Sequence, residues 1–178
     1  MLTDTRSGYG PISILLHWSA AIAILYLWLT GQSIDHSAES VRLTHIAMGS
    51  GLAILLLARV AWRAASVNPA PLSSVRVLNL IASAVKVLLL LDIVVAIFTG
   101  FLMVWFEGRT VDVFGVLPLP SPFAAARAYS MPMRGLHSAS TNAFVILVGL
   151  HVLGALKHVV WDRDGTLARM IYPRQDVS

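Results

Sequence analysis

Cysteine is absent from the 178 residues. Its absence excludes disulfides, thiolate-ligated clusters and any C-x-x-C-H attachment motif, so a bound cofactor is held non-covalently. Charge is scarce as well: 12% of residues are charged and 57% hydrophobic, with a mean hydropathy of +0.75. An ordinary soluble domain is about a quarter charged, so that class is excluded too. Internal repeats and low-complexity tracts are not evident in the sequence, which argues against a solenoid or a linker-rich architecture.

What the chain has instead is length of apolar run. A helix needs roughly 20 apolar residues to cross the hydrocarbon, and four runs qualify, at about 11–30, 42–63, 77–106 and 136–161. The predicted fold is all-α, an integral membrane four-helix up-down bundle, with residues 1–178 forming a single membrane domain bathed in lipid. The first run lacks a strongly basic start and an A-x-A cleavage site, so it is read as a mature helix. Lys and Arg distribution sets the orientation. Arg6, Arg59, Arg63, Arg76, Lys157, Arg163, Arg169 and Arg174 fall on one side. Arg42, Arg109, Arg127 and Arg134 fall on the other, diluted by Asp35, Glu39, Glu107 and Asp112. Both termini are therefore expected in the cytoplasm. The formal charge of +4 follows from this topology and implies no nucleic-acid partner.

The connections differ in kind. The first, GQSIDHSAES, reads as a short polar turn, and the second, ASVNPAPLSS, has two prolines that stop the preceding helix. The third, Glu107 to Gly135, carries Pro118, Pro120, Pro122 and Pro132. A loop that long is usually functional, and its SPFAAARAYS segment suggests a short interfacial helix.

Histidines carry the chemistry. Of the six, His36 lies in the first turn and reads as a surface residue. His17, His45, His137, His151 and His158 lie in or at the ends of spans, where an ionisable group is costly and marks a functional site. Depth follows from the rise per residue. His17 sits one or two turns above the start of the first helix, and His151 about 15 Å above the end of the fourth. His45 opens the second helix and His137 the fourth, both near the opposite surface. The result is two depth-matched pairs on different helices, His17 with His151 and His45 with His137. Bis-histidine ligation of a haem between helices needs this arrangement. His137 and His151 share nearly one face of the fourth helix, about 21 Å apart, so two haems would stack across the membrane. A lone membrane histidine is commonly an interhelical hydrogen-bonder, but four in matched pairs favour haem. Zinc fits less well, because its ligands converge within about 2 Å of one ion.

Three segments at these residues resemble the bacterial cytochrome b-561 family: HWSAAIAILYLWL, LTHIAMGSGLAILLLARVAWR followed by NPAPL, and LHSASTNAFVILVGLHVLGALKHVVWDRDGTLARM. The resemblance runs over nearly the whole chain. It implies four helices holding two b-type haems on His17, His45, His137 and His151 and exchanging electrons with quinone. The branch that looks most similar implies superoxide oxidation at the periplasmic face with ubiquinone reduced as substrate, a superoxide:quinone oxidoreductase-like activity. One departure stands out. Many relatives have histidine near the start of the third helix, where this chain has Ser83, Lys86 and Asp92.

The other polar residues have competing readings. Arg59, Arg63 and Arg134 are natural clamps for haem propionates, while positive-inside anchoring accounts equally for the first two. Arg134 and Arg109 also suit attraction of a small anion to the periplasmic haem. Lys86 suits a propionate or a quinone oxygen, or snorkels its stem to the interface. Asp92 reads as a proton relay or as a protonated acid bonded to a neighbouring helix. His158 suits proton delivery to quinone, or caps the helix end. Trp18, Trp28, Trp62, Trp105 and Trp161 form an interfacial belt. Two further readings of the whole stay open: a b-type subunit docked to a periplasmic dehydrogenase or hydrogenase as redox partner, and a haem-free membrane transporter.

Overall fold

The computed structural model describes residues 2–34, 38–70 and 75–173. Its four long helices are α1 (Pro11–Gln32), α2 (Glu39–Ala65), α3 (Arg76–Phe106) and α4 (Arg127–Lys157). All four are long and apolar enough to cross a membrane, as the composition requires. They form a four-helix membrane bundle whose apolar side chains mostly face outward: Leu15, Ile22, Ile54, Leu80, Ile146 and many others are exposed. Lipid covers such a surface where water would not. The buried core is correspondingly small, Ala20, Leu56 and Ile93 with Ile24, Leu27, Val60, Ile97 and Phe144 packed around it. Packing is closest within two hairpins, α1 against α2 and α3 against α4, with α2 and α3 joining them.

The helices run longer than the hydropathy boundaries, and α4 departs most. It begins at Arg127, with Pro132 inside it, where the sequence suggested loop as far as Gly135. The proline removes only an early intrahelical bond, to the carbonyl of Ala128. Aromatic stacking compensates: Phe106 stacks on Phe123 at 5.0 Å and meets Tyr129 at 5.5 Å, and the Ala126 N–H donates to Phe106 O at 2.8 Å. No separate interfacial helix forms in SPFAAARAYS; its last four residues are the first turn of α4.

The rest of that connection is a β-hairpin, β1 (Val111–Val113) antiparallel to β2 (Leu117–Leu119). Its turn places Phe114 and Gly115 at φ of 51° and 73°, the backbone that a tight hairpin turn demands. Phe114 holds this unfavourable conformation because its N–H donates to Ala47 O at 3.0 Å and its ring lies on Gly51, where a Cβ would collide with it. Ser50 Oγ donates to the Asp112 carbonyl at 3.0 Å. The hairpin is thereby docked along α2. His36 and Asp35 lie outside the described residues, as do Arg174 and residues 71–74 of the second connection.

The opposite end is knotted around one carboxylate. Asp4, 5% exposed, accepts from the Gly10 N–H at 2.9 Å, Ser13 Oγ at 2.8 Å and Arg63 Nη1 at 3.0 Å. Trp62 Nε1 adds a bond to Ser13 Oγ at 2.7 Å. Nearby, Trp18 Nε1 donates to Met170 O at 2.8 Å, and Arg169 Nη1 to Ala70 O at 3.0 Å. These bonds tie both terminal segments to one end of the bundle, called the terminal end below; the other is the hairpin end. Removing one partner from a buried ion pair costs about 3 kcal/mol or more. Asp4→Ala is therefore expected to lower the thermal unfolding temperature in detergent by several degrees, while Asp162→Ala, at a more exposed ion pair, leaves it nearly unchanged.

Candidate functional site

The two histidine pairs inferred from depth meet in space. His17 on α1 and His151 on α4 have ring centroids 6.1 Å apart, and His45 on α2 and His137 on α4 are 6.5 Å apart. An iron bonded to two imidazole nitrogens at about 2 Å each separates the ring centroids by about 6 Å. Both spacings fit bis-histidine ligation and are too long for a direct hydrogen bond between the rings. The two pairs lie at opposite ends of the bundle.

Protonation at the hairpin-end pair suits a ligand. His137 Nδ1 donates to the Ala96 carbonyl at 2.9 Å and lies 3.3 Å from Thr99 Oγ1. His45 Nδ1 lies 3.1 Å from Thr30 Oγ1. With Nδ1 carrying the proton, Nε2 keeps its lone pair for a metal. Glycines make room for both rings: a Cβ on Gly31 would come within 3.2 Å of His45 Cε1, and one on Gly100 within 3.3 Å of His137 Cε1. None of Thr30, Gly31, Thr99 and Gly100 stood out in the sequence. The only signal was a Thr-Gly step, too common to notice before the histidines opposite are known.

The terminal-end pair is flanked by cations. Arg59 Nη2 is 3.2 Å from His17 Nδ1, and Lys86 lies in the terminal-end half of α3. Among the described residues neither cation has a carboxylate in salt-bridge range. Two unneutralised cations beside paired imidazoles fit a ligand with an anionic edge, such as the propionates of a haem. As a ligand through Nε2, His17 needs the proton on Nδ1, and the guanidinium then turns to such an anion.

Two expected propionate clamps are committed elsewhere. Arg63 directs its donors to Asp4, to Ser66 O at 3.3 Å and to Asn68 Oδ1 at 2.5 Å. Arg134 pairs with Glu107 at 2.7 Å. It ends a chain of ion pairs in which Arg109 meets Glu39 at 2.9 Å and Arg42 bridges Glu39 and Glu107. The sequence hid both pairings because the acids are distant in the chain. Asp92 Oδ1 accepts from Ser140 Oγ on α4 at 2.7 Å, and Oδ2 has no partner among the described residues.

His158 starts a short π-helical turn, His158–Asp162, that follows α4. Its Nδ1 is 2.7 Å from Asp164 Oδ2 and 3.0 Å from Asp162 Oδ2, while Lys157 holds Asp162 at 2.5 Å. Burial opposes charge on Asp164, but hydrogen bonds from Thr166 and His158 outweigh it and hold the carboxyl below its ordinary range. Beside this dyad is an open cavity of about 300 Å³, lined by His158, Arg163, Thr166, Leu167, Ile171 and Tyr172. Trp18, Trp62 and Trp105 spend their indole N–H groups on Met170, Ser13 and Leu119, so the aromatic belt also fastens loops to helices.

Comparison with known proteins identifies the family. Residues 8–173 match the family described as prokaryotic cytochrome b561. The chain is 33% identical to "Cytochrome b561 homolog 2" of Escherichia coli (strain K12), over 95% of this chain and 94% of that protein. It is 23% identical to "Probable superoxide oxidase CybB" of Yersinia pestis, over 92% of this chain and 95% of that protein.

The pairing makes a sharp prediction for iron content. His17→Ala and His151→Ala should each remove the same half of the bound haem iron, and His45→Ala and His137→Ala the other half. Iron analysis with low-temperature visible spectra of the purified variants distinguishes the two halves.

Proposed function

The chain belongs to the prokaryotic cytochrome b561 family, and from that premise we propose that it holds two b-type haems and conducts electrons across the membrane to quinone. At the coarser level it is a membrane-embedded b-type haem electron-transfer protein, multi-pass in the bacterial inner membrane. The observation that carries the finer reading is the pair of six-ångström imidazole gaps at opposite ends of one bundle. One haem would leave one gap unexplained.

His17 and His151 would hold one haem at the terminal end, and His45 and His137 the other at the hairpin end. Bound haem supplies reversible one-electron chemistry at each pair, which no side chain of this sequence supplies by itself. Arg59 and Lys86 neutralise propionates at the terminal end. The Lys and Arg excess beside the termini puts that end in the cytoplasm, so the hairpin end faces the periplasm. Electrons enter there and leave at the terminal end, where the cavity beside His158 has room for a quinone headgroup. Quinone reduction consumes protons. His158 has Nδ1 anchored on Asp164, which leaves Nε2 to hand one over.

Superoxide is the proposed donor, in line with the name of the Yersinia pestis relative. The ion-pair chain at the hairpin end holds three arginines against two glutamates, a small positive excess for a small anion. Steering is therefore expected to be weak, and the rate should fall only modestly with ionic strength. In vesicles containing the protein and ubiquinone, superoxide generated outside should reduce the quinone well above the protein-free rate. His158→Ala should keep both haems and slow quinone reduction about tenfold or more. Haems that superoxide leaves oxidised would point instead to a protein donor docked on the hairpin end.

A further inference from the structure

α1 and α3 carry the same device, although they share almost no sequence there. In α1, Thr30 Oγ1 lies 3.0 Å from Tyr26 O and 3.1 Å from Leu27 O. In α3, Thr99 Oγ1 lies 2.7 Å from Val95 O and 3.2 Å from Ala96 O. Each hydroxyl proton is thus spent on carbonyls three and four residues back. Each oxygen is left as an acceptor, and each lies within 3.1 Å or 3.3 Å of Nδ1 of a histidine on the following helix. At His137 the carbonyl three residues back serves the histidine as well, Ala96 O accepting from Nδ1 at 2.9 Å. The next residue is glycine in both, Gly31 and Gly100, with the Cε1 edge of that imidazole against it.

Threonine bonding back to its own helix is ordinary. That habit does not account for a histidine on the acceptor side, or for a following glycine that clears the ring, at both places. We propose that Thr30-Gly31 and Thr99-Gly100 are twin positioning elements that orient His45 and His137 and set the redox potential of the haem they hold. The inference rests on the haem assignment made above for this pair. An acceptor on Nδ1–H makes the imidazole a stronger donor to iron and so favours the oxidised state. Both ligands of the hairpin-end pair have this support. At the terminal end His17 Nδ1 has Arg59 Nη2 at 3.2 Å in place of an acceptor, which makes its imidazole the weaker donor to iron. The arrangement lowers the potential at the hairpin end relative to the terminal end, and electrons run downhill from the first to the second.

The test is a redox titration of the purified holoprotein, with haem content measured in parallel. Thr30→Val and Thr99→Val keep the branched shape and lose the acceptor. In each, the reduced-to-oxidised ratio of one haem, at fixed ambient potential, should rise about threefold to tenfold, tenfold being 59 mV for one electron. The double variant should exceed either single one, Thr30→Ser should restore the parent value, and the second haem should not move. Gly31→Ala should displace the His45 ring and alter the low-spin EPR g-values of that same haem. Unchanged potentials and g-values in all of these overturn the proposal. The haem assignment has its own control: if His45→Ala retains both haems, the ligand pairing has failed, whatever the threonine variants do.

Discussion

Each imidazole in this bundle has two nitrogens and almost no water to satisfy them, and the rest of the structure follows from how that need is met. Burying a polar group without a partner costs several kcal/mol in hydrocarbon. On the hairpin-end histidines, Nδ1 lies against a threonine of the preceding helix, and on His137 against a carbonyl as well. The remaining nitrogens cannot reach across the gap to each other at ring separations of 6.1 and 6.5 Å. A haem iron seated between them would satisfy both. The bundle is two close-packed hairpins, with α4 contributing a histidine to the pair at each end.

Electrostatics distinguishes the two ends. At the hairpin end every arginine in the ion-pair chain finds a glutamate, and the ligands lean toward hydrogen-bond acceptors. At the terminal end Arg59 lies beside His17, and Arg63 is drawn to Asp4. One bundle thus offers an environment that favours oxidation near one surface and reduction near the other. The protein needs no moving part for this, only a fixed gradient of dipoles and charges.

Much of this was legible in the sequence. Apolar run length gave four spans, and a constant rise per residue was enough to pair His17 with His151 and His45 with His137, because helices in a membrane run nearly parallel. Features that depend on contact between distant segments were not legible. Hydropathy could not carry α4 back past Pro132, since aromatic packing of Phe106, Phe123 and Tyr129 decides that boundary. Neither could it foresee a hairpin held by Gly51 and Ala47, or pair Arg63 with an aspartate at the other end of two helices. The five-residue correspondence of Leu27–Gly31 with Ala96–Gly100 escaped notice because only Thr-Gly is shared. Its other function is carried by backbone carbonyls, which leave no trace in residue identity.

The central claim is that both imidazole gaps hold haem. The ratio of haem to polypeptide in purified protein tests it most directly, by pyridine haemochrome against amino-acid analysis, with a dithionite-reduced minus oxidised spectrum. The account requires two b-type, low-spin haems per chain. A single haem per chain, in protein made without haem limitation, would contradict it and return one histidine pair to a purely structural role.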